Sequence, residues 1–220
     1  MIEDAAHAFG SFYKNNLIGS FGDICCFSFD GIKNITCGEG GAILTRDERV
    51  LERLKDGRLL GVQKDSENRY AGRRSWDFDV VNQGFRFHMS NINAAIGLAQ
   101  LNKLDGFKIK RQEISMRYIE SFSSVSQVTV LELDYEQLMP HIFVVKVHSR
   151  DDLRQHLGDS GIECGLHYKP NHLLTKYSNE SNLPVTESCY DRAITLPCHV
   201  DLTVTEQDYV IQTIRDFYNA

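Results

Sequence analysis

At 220 residues, 42% hydrophobic and 25% charged, the chain has the make-up of an ordinary soluble globular protein of one large domain or a large and a small one. Lys and Arg number 24 against 30 Asp and Glu, a net charge of -6 that excludes a dedicated nucleic-acid binder with its basic stripe. No apolar run approaches the roughly 20 residues of a bilayer span, and Met1-Ile2-Glu3-Asp4 lacks the basic opening of a signal peptide, so neither membrane nor export is expected.

The first 45 residues read as short strands broken by glycine turns. Ile24 to Phe29 is a compact apolar run of the kind that forms a strand buried on both faces. Gly38-Glu39-Gly40-Gly41 is a turn, and Ala42 to Thr45 resumes a strand. Asp47 caps a helix through about Asp56, with Val50, Leu51 and Leu54 on one face. Residues 62 to 80 are polar, hold Arg73-Arg74 and Trp76, and are expected to form a long ordered loop. Ser90 or Asn91 opens a helix whose Ile92, Ala95, Ile96, Ala99 and Leu101 make an apolar stripe, and a helical pattern resumes from about Phe107 to Phe122. Val128 to Leu131 and Ile142 to Val147 read as strands. Asp151 to Leu157 reads as a helix ended by Gly158, and Ile162 to Tyr168 as another strand. The terminal helix is expected to start at a capping box of Thr205 and Asp208, with Val210, Ile211, Ile214 and Phe217 inward. The pattern is α/β, with residues 1–115 as one domain and 116–220 as a small α+β domain.

Six cysteines, at 25, 26, 37, 164, 189 and 198, form no CxxC pair and no regular framework. They are expected as reduced structural thiols of a cytoplasmic protein, and with the histidines they show no zinc-ligand spacing.

The chemistry-bearing residues cluster early. Ligands bind at the ends of buried strands in α/β sheets, where Asp4, His7, Ser28 and Lys33 fall. Lys33, between Gly31-Ile32 and Asn34-Ile35, is in apolar company that would lower the pKa of its amine and make it a nucleophile; taken singly it also reads as an ordinary surface lysine. Asp4 reads as a solvated carboxylate or as the partner of a ring nitrogen in an aromatic cofactor. Ser28 could donate to a phosphate or bond its own backbone. A Cys37–His7 nucleophilic pair lacks a third, orienting residue.

The ordered run EDAAHAFGSFYKNNLIGSFGDICCFSFDGIKNITCGEGGAILT resembles the DegT/DnrJ/EryC1/StrS family of pyridoxal-phosphate-dependent nucleotide-sugar aminotransferases of fold type I. GFRFHMSNINAAIGLAQLNKL resembles the family's second signature. HIFVVKV, GIECGLHYKPNHL and LPCHVDLTVTEQDYVIQTI resemble its small C-terminal domain. The resemblance implies the latter part of a fold type I large domain followed by a small α+β domain, preceded in relatives by a long N-terminal portion that helps cradle the phosphate. A truncated product or a fragment is therefore expected, with sheet edges exposed.

By the same resemblance Lys33 would bind pyridoxal 5'-phosphate covalently and then carry the proton between the amino-donor carbon and the cofactor carbon. Asp4 would face the pyridine nitrogen, His7 the ring oxygen, and Ser28 the phosphate. The second signature often has Asn where Arg86 stands, so Arg86 either pairs with phosphate or packs its stem on Phe85 or Phe87. His167 and Tyr168 fall where relatives line the sugar-nucleotide cleft; the plainer alternatives are a Tyr168 packed in a core and surface or structural histidines at 167 and 172. The implied reaction moves an amino group, from glutamate, to a nucleotide-linked keto-deoxysugar for surface polysaccharide or O-antigen synthesis, in a homodimer. The alternative is a catalytically inactive fragment serving as a binding or regulatory module.

Overall fold

A computed structural model describes residues 1–63, 71–72, 78–178 and 181–219. The chain divides into two compact units, Met1–Leu104 and Asp105–Ala220. Arg73-Arg74, Trp76 and most of the expected 62–80 loop lie outside the described residues.

The first unit opens with β1 (Ile2–Asp4), a small hairpin of β2 (Phe12–Tyr13) and β3 (Asn16–Leu17), then β4 (Ile24–Ser28) and β5 (Gly41–Thr45). The hairpin turns at Lys14 and Asn15, both at positive φ, the arrangement that matches the twist of two antiparallel strands. β1 runs parallel to β4, and β5 runs antiparallel to β4 on its other side. Asp4 pairs with Cys26 and Ser28 with Gly41, so Asp4 and Ser28 end two neighbouring parallel strands at the same edge of the sheet. β4 buries Cys25 and Phe27 and leaves Ile24, Cys26 and Ser28 half-buried. That alternation corrects the expectation of a strand buried on both faces: one face is covered, with Ala5, Cys25 and Phe27 forming a small cluster. α1 (Glu48–Gly57) is capped as expected by Asp47, whose side chain accepts from the Arg49 and Val50 amides. α2 (Asn91–Leu101) is capped by Ser90. Neither helix has a buried residue, and Ile92 on the α2 stripe is 76% exposed.

The second unit packs helices on a three-stranded antiparallel sheet of β6 (Val128–Val130), β7 (Phe143–Val147) and β8 (Ala193–Leu196), in the order β6-β7-β8. α3 (Leu104–Phe122) contributes Ile114, Tyr118 and Phe122 to the core. The boundary expected at 115/116 falls inside this helix, and the division into two compact units comes at its first turn, between Leu104 and Asp105. α4 (Arg150–Asp159) runs through Gly158 rather than stopping there. α5 (Pro184–Arg192), which no pattern in the sequence announced, leads straight into β8. The expected strand 162–168 is reduced to one bridge, Gly165 to Thr195. α6 (Val204–Asn219) buries Val210, Ile211 and Ile214. Its capping box is two residues earlier than expected: the Glu206 amide donates to Thr203 Oγ1 at 3.2 Å and the Thr203 amide donates back to Glu206 Oε2 at 2.8 Å. No helix among the described residues is long and apolar enough to cross a membrane.

Core packing here is aromatic. Tyr118 stacks on Phe122 and Phe143 with centroids 5.8 and 5.0 Å apart, and its hydroxyl donates to the Pro197 carbonyl at 3.0 Å. Arg111, 6% exposed, donates through Nη1 to the carbonyls of Pro140 and His141 at 3.0 Å each and of Cys198 at 2.7 Å. Burial pulls its pKa down, and the three carbonyls stand in for a counter-ion. Replacing Arg111 by Met leaves those acceptors buried and unpaired. Urea unfolding followed by circular dichroism is expected to show a loss of about 2–4 kcal/mol, the cost of a few such orphaned groups.

Candidate active site

The connection from β4 to β5 carries Lys33, and its backbone is closed at several points. The Phe29 amide donates to the Gly40 carbonyl at 2.8 Å, and the Cys37 amide donates to the Phe29 carbonyl at 2.9 Å. Residues 30–36 are thereby thrown out as a lobe beyond the sheet edge where β1 and β4 end. At its start the Asp30 carboxylate accepts from the Ile32 amide at 3.1 Å, and the Asp30 carbonyl accepts from the Lys33 amide at 3.1 Å. This tight turn exposes Gly31 and Ile32, leaves Lys33 half-buried, and turns Asn34 and Ile35 inward to 4% exposure each. The apolar company read from the sequence around Lys33 is thus uneven: Ile35 is buried and Ile32 is 66% exposed.

Two asparagines hold the lobe. Asn34 Nδ2 donates to the Phe9 carbonyl at 2.8 Å, reaching the segment that follows Asp4. Asn93, in the first turn of α2, donates from Nδ2 to the carbonyls of Cys37 at 2.6 Å and Glu39 at 3.2 Å. The glycine turn makes that approach possible. Gly38 takes φ +81, and a side chain at Gly40 would strike Cys37 Sγ. Cys37 is fully buried, its thiol donates to the Glu39 carbonyl at 3.2 Å, and burial pushes its pKa up, which suits an inert thiol rather than a nucleophile.

On the facing segment, the Ala5 amide donates to the Cys26 carbonyl at 2.9 Å and extends the β1–β4 pairing past Asp4. Asp4 is exposed and its Oδ1 accepts from the Ala6 amide at 3.1 Å. His7 is exposed in the turn closed by the Ala8 amide on the Ala5 carbonyl. Phe9 stands edge-on to Phe27 and Phe29, at 5.0 and 5.2 Å, which fixes the segment on the sheet. Ser28 is half-buried at the end of β4, its Oγ 3.4 Å from the Asp30 amide that it accepts from. One sheet edge therefore gathers Asp4, Ser28 and the lobe of Lys33, with His7 in the turn just beyond Asp4.

The remaining candidates lie apart in the chain. Arg86 is exposed in an extended stretch that pairs with the end of α1: the Phe85 amide donates to the Gly57 carbonyl at 2.7 Å and the Phe87 amide to the Arg58 carbonyl at 2.9 Å. Phe85 and Phe87 stack on each other at 5.1 Å, and strand alternation turns Arg86 to the opposite side. His167 and Tyr168 belong to the second unit. His167 Nδ1 lies 2.8 Å from Thr195 Oγ1, half-buried, while Tyr168 is 59% exposed and edge-on to His167 rather than packed in a core. His172 has a structural partner, with Nε2 3.0 Å from Glu187 Oε1.

Residues 1–215 match the model of the DegT/DnrJ/EryC1/StrS aminotransferase family. The chain belongs to that family. It is similar to the spore coat polysaccharide biosynthesis protein SpsC of Bacillus subtilis (strain 168), 32% identical over 98% of this chain and 59% of SpsC. Among solved structures it is similar to Helicobacter pylori PseC, an aminotransferase involved in the biosynthesis of pseudoaminic acid, with a TM-score of 0.89 and 28% identity over 99% of this chain and 59% of that one. The PLP-form of Spr1654 from Streptococcus pneumoniae matches with a TM-score of 0.88 and 30% identity over 99% of this chain and 57% of that one. The chain thus shares its α/β fold with sugar aminotransferases and spans somewhat under three-fifths of the length of these relatives.

Asn34 and Asn93 were not singled out from the sequence. Their partners lie 25 and 56 residues away, and no local pattern marks such a bond.

The His172–Glu187 contact yields a pH test. The hydrogen bond to His172, and then the one from the Leu183 amide, hold the Glu187 carboxyl below its ordinary 4.5. A carboxylate with a folded pKa below its unfolded value contributes stability above that ordinary value and loses it as pH falls through the lowered one. Melting temperatures of the chain and of Glu187→Gln are expected to differ at neutral pH and to converge as pH drops below 4.5.

Proposed function

We propose that the chain carries the lysine-bearing part of a pyridoxal-phosphate-dependent sugar aminotransferase that moves an amino group onto a keto sugar linked to a nucleotide. The observation that carries the reading is the joint edge of β1 and β4, where Asp4 and Ser28 end adjacent strands and the Lys33 lobe rises from the same edge. The cofactor demands a primary amine for its aldehyde, an anion for its ring nitrogen, and donors for its phosphate; Lys33, Asp4 and Ser28 are of those three types, so the residues fit. When bound, pyridoxal phosphate supplies an electron sink for the bond broken at the amino-bearing carbon.

The chain's own groups do the rest. Lys33 would hold the cofactor through its amine and would serve as the base that takes and returns a proton at the amino-bearing carbon. Asp4 would hold the ring nitrogen, His7 would lie near the ring oxygen and Ser28 would donate to the phosphate, while Arg86 would offer its charged fork to the phosphate bound in a neighbouring subunit. His167 and Tyr168 meet the sugar nucleotide, with His167 oriented by Thr195.

Glutamate as donor, a deoxysugar as acceptor, and a product destined for surface polysaccharide complete the reading. What the spore coat and pseudoaminic acid relatives are named for supports a role in glycan assembly. Six free thiols support a cytoplasmic setting, and the exposed Ile92, Ile96 and Leu101 of α2 support a homodimer.

Titration with pyridoxal phosphate is expected to raise a visible absorbance band, which Lys33→Ala abolishes. Amino transfer in the same variant is expected to fall by about a hundredfold to ten-thousandfold, as when a general base is removed. A band that survives in Lys33→Ala contradicts the assignment, and no band in the unaltered chain favours the inactive binding module.

A further inference from the structure

The backbone of the Lys33 lobe is tied to the rest of the first unit at a few points. The turn at Asp30 sets the direction of the chain into Lys33 but ties it only to the adjacent residue of β4's exit. Asn93 holds the far limb, at Cys37 and Glu39, and the Thr36 hydroxyl bonds the Phe29 carbonyl at 3.4 Å beside it. Asn34 is the next residue after the lysine. It is 4% exposed, and its amide crosses 25 residues of sequence to the Phe9 carbonyl at 2.8 Å. Phe9 is itself held by ring contacts to Phe27 and Phe29 and continues directly from the Asp4–His7 turn.

We infer that Asn34 is a positioning residue, whose buried amide sets the reach of the Lys33 amine toward the Asp4 carboxylate. This rests on the function proposed above. A buried amide donating to a carbonyl is a stiff link, because breaking it strands both groups away from water. It acts on the backbone one bond from the lysine, so a small displacement there moves Nζ relative to whatever lies over Asp4. Displacements of about 1 Å at a reacting group cost on the order of a hundredfold in rate. Asp4 itself is exposed and Lys33 half-buried, so the buried anchor next to the lysine is Asn34.

The test separates the hydrogen bond from the packing. Asn34→Asp keeps the volume and shape of the side chain, removes the donor and places a second acceptor against the Phe9 carbonyl. The full chain and its variants are mixed with pyridoxal phosphate and reduced with borohydride, which turns the linkage into a permanent secondary amine. Peptide mapping then reads the share of label on Lys33 against the other lysines. The unaltered chain is expected to carry its label on Lys33. Asn34→Asp, at unchanged circular dichroism, is expected to lower the Lys33 share by about tenfold or more, with the other lysines unaffected. A purely structural role would instead lower the melting temperature and leave the site preference intact. A folded Asn34→Asp that still prefers Lys33 overturns the inference and leaves the function proposal standing. No preference for Lys33 in the unaltered chain overturns the function proposal and this inference with it. Should Asn34→Asp not fold, Asn34→Gln carries the same test, since it keeps the amide and shifts it by one methylene. A reduced Lys33 share supports the role and an unchanged share overturns it.

Discussion

The pairing of β4 with β5 forces a long stretch of polar backbone to close on itself, and the candidate site is the result of how that closure is achieved. Phe29 receives the Cys37 amide and gives its own to Gly40, so the chain leaves the sheet and returns to it at nearly one point. What remains between is a lobe with few ladder bonds of its own. Turns at Asp30 and Thr36 close its ends, Asn34 from within the lobe donates to the Phe9 carbonyl, and Asn93 of α2 donates to the carbonyls of Cys37 and Glu39 just past it. A buried backbone group left without a partner costs about as much as a lost hydrogen bond, so these bridges define where the lobe can sit. Lys33 inherits its place from them.

The same edge collects the other groups because β1 is parallel to β4. Parallel neighbours end on the same side, which sets Asp4 beside the exit of Ser28 and the root of the lobe. An antiparallel β1 would have put Asp4 at the opposite end. The gathering of Asp4, Ser28 and the Lys33 lobe at one sheet edge therefore follows from strand direction, in a chain that belongs to the DegT/DnrJ/EryC1/StrS aminotransferase family.

Local signals in the sequence were reliable where a side chain acts on its own backbone. Asp47 read as a helix cap and is one, and of Ser90 and Asn91 the structure makes Ser90 the cap, because the bond that makes a cap spans two or three residues. The terminal helix was legible too, yet its box sits at Thr203 and Glu206 rather than Thr205 and Asp208, since either pair satisfies the spacing and only the fold selects one. α5 was missed because its residues carry little apolar period and none of them is buried. The segment 162–168 looked like a strand from its apolar residues, but only Gly165 finds a partner in Thr195.

The site was legible as a motif and only partly as an environment. Lys33 stands between Gly31-Ile32 and Asn34-Ile35 in the sequence, and a turn at Asp30 sends Ile32 into solvent. The residues that fix the lobe, Asn34 and Asn93, carry no local signal, because their partners are 25 and 56 residues away in the chain.

A crystal structure of the chain soaked with pyridoxal phosphate measures the central claim directly. The account predicts continuous density from Lys33 Nζ to a flat ring whose nitrogen meets the Asp4 carboxylate, with Asn34 still on the Phe9 carbonyl. Density confined to other lysines, or a Lys33 side chain directed into bulk solvent and away from Asp4, would contradict it.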